Sequence, residues 1–301
     1  MTEIMQKIGF LPDETEFFLS LCSSLSKEIL DEIEVLKNDF FMKDTDKDQI
    51  EVRDYVYDRL VELSEKVPCH HFSLHMLFLL LCTDELKADY KEKGYAEELF
   101  YDMMCDITYK LRECKKRHGI YGTTSFKWFH NEFLMKLFAL GRFQYVKGPF
   151  RQEKTYTWGD VTVEPGDDVY YIHIPSSGPM TEDARLNSYK KAYEFLPKNK
   201  GKYMVYACDS WLLAPCNEHI FPENSNMMGF FKDFDILSSY ETENAFSNAW
   251  RVFNMNFDGD TSVLPKETTL QKNYAKWLED GNKVGAGYGI IIFDGEKIVN
   301  R

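Results

Sequence analysis

Residues 168–208 have the sequence DVYYIHIPSSGPMTEDARLNSYKKAYEFLPKNKGKYMVYAC, which predicts a strand, a loop, a helix and a second strand in that order. Asp168–Ile174 and Lys202–Cys208 are short runs rich in aromatic and β-branched residues, as strands are. Thr181–Leu196 lies between them and has helical spacing with an acidic first turn. This part of the chain therefore predicts a sheet combined with helices.

The rest of the second half of the chain contains short alternating runs separated by turn residues. Gly148–Pro149, Gly159–Asp160 and Pro165–Asp167 interrupt these runs, as in an antiparallel meander. We therefore predict a mixed, largely antiparallel α/β sheet. Its further strands are predicted at 142–147, 154–158, 234–241, 249–254, 288–293 and 297–299, and its further helices at 214–220, 225–232 and 268–280.

The first half of the chain has a different period. Its apolar residues recur at spacings of three and four, which predicts helices, and Phe72–Leu86 is apolar nearly all round, as a central buried helix is. A break at Gly119–Gly122 predicts a domain boundary near 120–140, with domains at 1–122 and 123–301, and the helix predicted at 124–140 could belong to either domain. The predicted helices cover 13–25, 27–37, 48–67, 72–86, 95–118 and 124–140.

The composition is that of a folded protein. Of the 301 residues, 44% are hydrophobic and 15% aromatic, which excludes intrinsic disorder. The longest apolar runs, such as Met76–Cys82, are far shorter than the ~18 residues that a membrane-spanning helix requires. The first residues have neither the basic start nor the cleavage site of a secretion signal. Seven cysteines without framework spacing predict reduced thiols and a cytoplasmic location.

The charge is acidic and unevenly distributed. Residues 1–120 contain 16 Lys and Arg against 26 Asp and Glu, whereas residues 121–301 contain 20 against 23. An acidic chain lacks the electrostatic signature of proteins that bind nucleic acid or an anionic membrane. We therefore expect neither partner. The second half is close to neutral and permits an anionic small ligand.

The loop between the two strands of 168–208 is the best candidate for a binding site. Pro175–Thr181 brings small residues and Gly178 to the N-terminus of a helix, where free backbone N–H groups and a partial positive charge attract anions. A phosphate group is the ligand that this arrangement predicts. The alternative is an ordinary capped helix with no ligand.

Several ordered motifs in the second half of the chain resemble one protein family. They are LGRFQY at 140–145, HIP at 173–175 with GPMT at 178–181, SWLL at 210–213, SN at 225–226, WRVF at 250–253, and LP at 264–265 with TTLQ at 268–271. They resemble bacterial proteins described as acyltransferase-domain proteins, which have a helical N-acyltransferase N-terminal domain and a GNAT-like C-terminal domain. The resemblance implies an α+β fold in which an all-helical N-terminal domain precedes a GNAT-like, largely antiparallel α/β sheet domain.

The resemblance also implies a donor site. In GNAT enzymes acyl-CoA lies between two splayed strands, and its pyrophosphate rests on the loop and helix that follow the first strand. Here these strands would be 168–174 and 202–208. The cofactor-binding residues would be Ser176, Ser177, Gly178, Met180 and Thr181. The loop lacks the usual signature Gln/Arg-x-x-Gly-x-Gly/Ala, and the nearest match, NKVGAG at 282–287, precedes a strand instead of opening a helix.

The resemblance implies N-acyl transfer, which requires a base, donors for the oxyanion and an acid for the thiolate. His173 ends the first strand, shares a face with Tyr171 and is the first candidate base; Asp209 is the second. Trp211 and Tyr171 are candidates for the walls of the substrate pocket. Structural roles in strand ends, turns and core are the alternative for each residue. Cys208 suggests a nucleophile, but a small buried strand residue is the alternative that we prefer.

Two short sequence segments resemble metal-binding motifs but lack the required ligands. Cys69, His70, His71 and His75 have no glutamate in the HExxH position. The acidic stretch from Asp44 lacks the glycine and the closing glutamate of a calcium loop. We therefore expect no metal. The preferred function is an acyl-CoA-dependent N-acyltransferase acting on an unknown amine, and the alternative is a catalytically inactive GNAT-like binding or scaffold protein.

Overall fold

The computed structural model describes residues 1–41, 48–241, 246 and 248–301, which form two compact units, Met1–Ala139 and Leu140–Arg301. The acidic stretch from Asp44 lies largely outside these residues. The first unit is helical, as predicted. Its helices are α1 (Thr2–Lys7), α2 (Pro12–Ser24), α3 (Lys27–Phe40), α4 (Gln49–Ser64), α5 (His71–Leu81), α6 (Thr83–Glu92), α7 (Glu97–His118) and α8 (Phe126–Phe133).

The single helix predicted at Phe72–Leu86 is wrong, because two helices, α5 and α6, meet at Cys82. The Cys82 N–H is shared between the carbonyls of Phe78 and Leu79, and the Thr83 hydroxyl donates to the Leu80 carbonyl at 2.7 Å. These bonds tighten the last turn of α5 and end it. Its buried position is confirmed, since residues 74–80 are all at most 1% exposed.

The helix predicted at 124–140 is also wrong in its second part. The helix α8 ends at Phe133, Met135 adopts a left-handed conformation with φ of 53°, and residues 137–140 form a strand. A left-handed residue terminates a helix because its backbone cannot continue the hydrogen-bond ladder. The rings of Phe126 and Phe133 both contact Phe40 of α3, with centroids 5.6 Å apart. Helix α8 therefore belongs to the first unit.

A buried pair of carboxyl groups lies in this helical core. Glu132 of α8 is fully buried, and Asp106 of α7 is 1% exposed. Burial, followed by the charge of Asp106, raises the pKa of Glu132 well above its usual value, and the Trp128 side chain is a hydrogen-bonding neighbour. A neutral Glu132 avoids two adjacent buried negative charges.

The variant Glu132→Gln is expected to be more stable than the parent at pH 8 and similar to it at pH 4. As pH rises above about 4.5, the unfolded glutamate ionises while the buried one stays protonated, so the parent loses stability with rising pH. One pKa unit corresponds to about 1.4 kcal/mol, and we expect at least this gain at pH 8. Urea unfolding at both pH values measures it, with the exposed Glu98→Gln in α7 as control. An equal effect at both pH values would contradict a protonated Glu132.

The chain from residue 137 onward forms the mixed, mostly antiparallel sheet that the sequence predicts. The six-stranded sheet has the order β1-β2-β5-β6-β8-β7, and β3 and β4 form a separate hairpin. Only β5 and β6 are parallel among the pairs β2–β5, β5–β6, β6–β8 and β7–β8. The strands are β1 (Leu137–Leu140), β2 (Phe143–Pro149), β3 (Tyr156–Trp158), β4 (Val161–Val163), β5 (Asp168–His173), β6 (Met204–Ser210), β7 (Asp235–Glu241) and β8 (Gly285–Phe293).

Each face of this sheet has its own covering. On one face β4 places Val161 and Val163 over the side chains of Val169, Val205 and Ile290. On the other face α9 packs through Tyr189, whose ring stacks on Tyr206 at 5.9 Å. The helices of this unit are α9 (Glu182–Phe195), α10 (Asn217–Ile220), α11 (Asn226–Phe231), α12 (Ala249–Phe253) and α13 (Thr269–Glu279).

The strand predicted at 249–254 is wrong, since Ala249–Phe253 is the helix α12. Val252 and Phe253 are both buried, and the Val252 carbonyl accepts a hydrogen bond from the Gln271 side chain at 3.1 Å. Asn254 ends the helix in a left-handed conformation with φ of 59°. None of the described helices is both long enough and apolar enough to cross a membrane.

Candidate functional site

The strands β5 and β6 separate at their carboxyl ends. They pair only at Tyr170 with Tyr206 and at Tyr171 with Ala207. Beyond this point β5 stays paired with β2 as far as His173, and β6 stays paired with β8 as far as Ser210. A gap therefore opens between two otherwise continuous parts of the sheet. Such a gap at the carboxyl ends of parallel strands is a common place for a ligand.

Two buried tyrosines, Tyr171 of β5 and Tyr288 of β8, meet on the face of the sheet that carries the β3–β4 hairpin. The Tyr171 hydroxyl donates to the Pro149 carbonyl at 2.7 Å, and it lies 3.0 Å from the Tyr288 hydroxyl. Because Tyr171 uses its only proton toward Pro149, Tyr288 donates to Tyr171. The Arg151 backbone N–H in turn lies 3.5 Å from the Tyr288 oxygen. Tyr288 was missed by sequence reasoning, since only its register opposite Asp209 brings it here.

The two candidate bases, His173 and Asp209, both lie near the gap. His173 is the last residue of β5, and Asp209 is on β6. Burial, followed by the positive charge of Arg151, lowers the pKa of His173 to about 4. His173 is therefore neutral at physiological pH and able to accept a proton.

The pKa of the Asp209 carboxyl lies above its usual value, because burial outweighs two opposing effects. Burial raises the pKa of its carboxyl, whereas Arg151 and a hydrogen bond from Tyr240 lower it. Tyr240, on β7, is 57% exposed. Arg151 thus acts electrostatically on both candidate bases. Sequence reasoning did not select it, although it lies two residues after the end of β2.

The loop 175–181 leads from His173 into α9. Thr181 caps this helix, and its side chain accepts a hydrogen bond from the Ala184 N–H at 3.3 Å. Ser176 and Gly178 are exposed, and a Cβ added at Gly178 would meet nothing within 4 Å. Backbone groups of this loop are therefore accessible to a ligand. Capping by Thr181 is equally expected of an ordinary helix that binds no ligand.

The other predicted loop residues differ in their access to solvent. Ser177 is half-buried, whereas the Met180 side chain is only 8% exposed. The Met180 carbonyl accepts a hydrogen bond from Arg185 at 2.7 Å. The Met180 side chain thus belongs to the core. The first turn of α9 also contains two acidic residues, Glu182 and Asp183, whose carboxylates lie close to the position of a bound anion.

A buried ion pair holds α9 in place. The Arg185 guanidinium donates to Asp233 at 2.7 and 3.4 Å, and both side chains are at most 7% exposed. Tyr189 donates to the same carboxylate at 2.8 Å, and Arg301 also pairs with it. The position of the loop 175–181 therefore depends on Asp233.

The remaining candidates have structural environments. Trp211 lies in an aromatic cluster with Phe221, Phe246 and Tyr274, at centroid distances of 6.5, 6.1 and 6.0 Å. Cys208 is buried, and burial raises its pKa far above that of a free thiol, so its thiolate is suppressed.

The glycine-rich segment 282–287 does not open a helix, and its glycines have a packing role. Gly285 and Gly287 both lie within β8. An added Cβ would lie 2.0 Å from the Tyr240 carbonyl oxygen at Gly285 and 2.0 Å from the Leu213 carbonyl oxygen at Gly287. Only glycine allows this close approach of neighbouring backbone.

Among the residues that the structure describes, no group of three or more His, Cys, Asp and Glu side chains is arranged to hold a metal. His75 is fully buried, and its Nε2 lies 3.4 Å from the Tyr57 carbonyl oxygen. Its ring also contacts Phe126 at 4.8 Å. His75 is thus a core residue of the helical unit.

Comparison with known families agrees with this architecture. A family described as the GNAT-like C-terminal domain matches residues 137–291, and one described as the N-acyltransferase N-terminal domain matches residues 1–135. The chain belongs to the GNAT-like C-terminal domain family. This confirms the resemblance and the GNAT-like fold that the motifs at 140–271 predict. No curated protein matches the chain.

Solved structures share the fold of this GNAT-like protein. A crystal structure of an acyltransferase in complex with decanoyl-CoA and teicoplanin has a TM-score of 0.61 and 16% identity, covering 97% of this chain and 98% of that chain. An acyltransferase mutant with octanoyl-CoA has a TM-score of 0.62 and 16% identity over the same shares. An acyltransferase with decanoyl-CoA alone has a TM-score of 0.60 and 18% identity, again covering 97% and 98%. At such low sequence identities, the similarity to these structures shows a shared fold only.

Proposed function

We propose that this GNAT-like protein transfers an acyl group from acyl-CoA to an amine, at the gap between β5 and β6. The observation that carries the proposal is the separation of these strands beyond Tyr171 and Ala207, with His173 and Asp209 near the opening. The family, and structural neighbours that bind decanoyl-CoA, octanoyl-CoA or CoA, support acyl-CoA as the donor. No observation favours the inactive scaffold. The cytoplasmic location remains a prediction.

In this proposal the pyrophosphate of CoA binds the loop 175–181. The exposed backbone around Ser176 and Gly178 supplies the N–H donors, and the N-terminus of α9 supplies partial positive charge. Ser177 and Thr181 contribute hydroxyl groups. Met180 contributes only backbone, because its side chain is buried.

His173 is the proposed base, and Asp209 is the second candidate. The neutral amine nitrogen attacks the thioester carbonyl carbon, the C–N bond forms and the C–S bond breaks. The proton that the base takes from the nitrogen then passes to the departing CoA thiolate. Attack makes the proton on the nitrogen strongly acidic. A weakly basic imidazole such as His173, with its pKa near 4, is then sufficient to remove it.

The variant Gly178→Val is expected to weaken CoA binding by about 100-fold or more. A branched side chain would block approach to the backbone N–H groups, and each charge-assisted hydrogen bond lost costs about 1.5–3 kcal/mol. The open space around Gly178 lets the variant fold normally. Calorimetric titration with CoA measures the loss, and an unchanged melting temperature is the control. Parent-like affinity would place the phosphate site elsewhere.

The direct test of function is release of free thiol from acyl-CoA in the presence of amines. Acetyl-CoA, octanoyl-CoA and decanoyl-CoA are each supplied with a panel of primary amines, and thiol release is followed with a chromogenic reagent. The proposal predicts release that depends on the amine and on His173. The scaffold alternative predicts none with any pair of substrates.

A further inference from the structure

Arg151 carries an unneutralised positive charge beside the gap. The residue is exposed, and in the described part of the chain its guanidinium forms no ion pair. It lies over the Tyr171 ring, 4.7 Å from the centroid, and its backbone N–H is held by Tyr288. Stacking restricts the side chain in advance, so that binding an anion costs less conformational entropy.

Asp209 supplies the opposite charge at the same site. It too forms no ion pair within the described ranges, and its carboxylate accepts a hydrogen bond from Tyr240. The charge of Arg151 acts on both Asp209 and His173. A positive and a negative group are thus held near the tyrosine pair 171 and 288, near each other but not directly paired.

We propose that the acyl acceptor is an amine that also carries a carboxylate, such as an α-amino acid. Its carboxylate binds the Arg151 guanidinium, and its ammonium group faces Asp209 and His173. This inference rests on the function proposed above and names the substrate class of the same site.

Two properties of Arg151 favour a carboxylate over other ligands. The planar guanidinium presents parallel N–H donors that match the two oxygens of a carboxylate. An amine without an anionic group would leave the Arg151 guanidinium without a counter-charge from the substrate. Arg151 therefore selects against simple amines as well as for zwitterions.

The test compares each amino acid with its own amide. The substrate pairs are glycine with glycinamide and L-leucine with L-leucinamide, each supplied with octanoyl-CoA. The ammonium group of the amide loses its proton more readily than that of the acid, so rates are expressed per concentration of neutral amine. The parent is expected to prefer the acid by about 10- to 100-fold in kcat/KM, as loss of a charge-assisted pair implies. In Arg151→Gln the ratio of kcat/KM for the acid to that for the amide is expected to fall to about one, mainly through a raised KM for the acid. Because Arg151 also acts on His173, the acid and the amide are compared within the same variant.

A matched control uses Arg251→Gln, which removes an arginine stacked on Trp250 at 4.3 Å in α12 and is expected to keep the preference. Equal use of acid and amide by the parent would overturn this inference and leave the proposed function standing. A preference that survives in Arg151→Gln would remove Arg151 from acceptor recognition. If no amine releases thiol, the proposed function fails, and this inference fails with it.

Discussion

The variant His173→Ala is expected to turn over about 100- to 10,000-fold more slowly than the parent, with its affinity for acyl-CoA unchanged. That range is typical for loss of a positioned general base. His173 ends β5 at the gap, and its imidazole is neutral at physiological pH because burial and Arg151 lower its pKa to about 4. Single-turnover kinetics separates the chemical step from binding and measures the loss.

The pH profile provides a second check on His173. Since the base must be neutral, the activity of the parent, expressed per neutral amine, should fall only as pH drops toward 4. This limb should be absent from the residual activity of His173→Ala. The exposed His219, which stacks on Trp277, offers the control variant His219→Ala with parent-like rates. Unchanged turnover in His173→Ala would leave Asp209 as the remaining candidate base.

The variant Asp233→Ala is expected to lower the free energy of unfolding by about 3–5 kcal/mol, because it leaves the buried Arg185 guanidinium without its partner. The Tyr189 hydroxyl loses its acceptor in the same change. The midpoint of thermal unfolding should fall by roughly 10 °C. Since α9 carries the loop 175–181 at its N-terminus, CoA affinity should fall as well.

Asp235→Ala is the matched control, because Asp235 is exposed and accepts a single hydrogen bond from Tyr156 at 2.9 Å. It should change stability by less than about 1 kcal/mol. A small effect of Asp233→Ala, equal to that of Asp235→Ala, would show that the buried ion pair does not hold α9.

Local sequence patterns predict the central unit of the sheet well. Alternation and helical spacing within 168–208 predict β5, α9 and β6 with their bounds nearly as observed. The same patterns fail where tertiary packing overrides them. Trp250–Phe253 is rich in strand-forming residues but is helical, because Val252 and Phe253 are buried and Asn254 ends the turn.

The candidate site is only partly accessible to sequence reasoning. His173, Asp209 and Tyr171 are found because they lie on or next to predicted strands. Tyr288 and Arg151 join them through the register of β8 with β6 and the path of the chain after β2. Strand register and chain path bring together residues that are far apart in the sequence, so local residue spacing does not predict them.

We expect acyl-CoA to bind this chain at the loop 175–181, and calorimetric or thermal-shift titration measures this binding. The parent and Gly178→Val are titrated with CoA, acetyl-CoA, octanoyl-CoA and decanoyl-CoA. The parent should show a saturable stabilisation, about 2.7 kcal/mol at a hundred times the dissociation constant, and Gly178→Val should lose it. No stabilisation of the parent by any of the four ligands would contradict it.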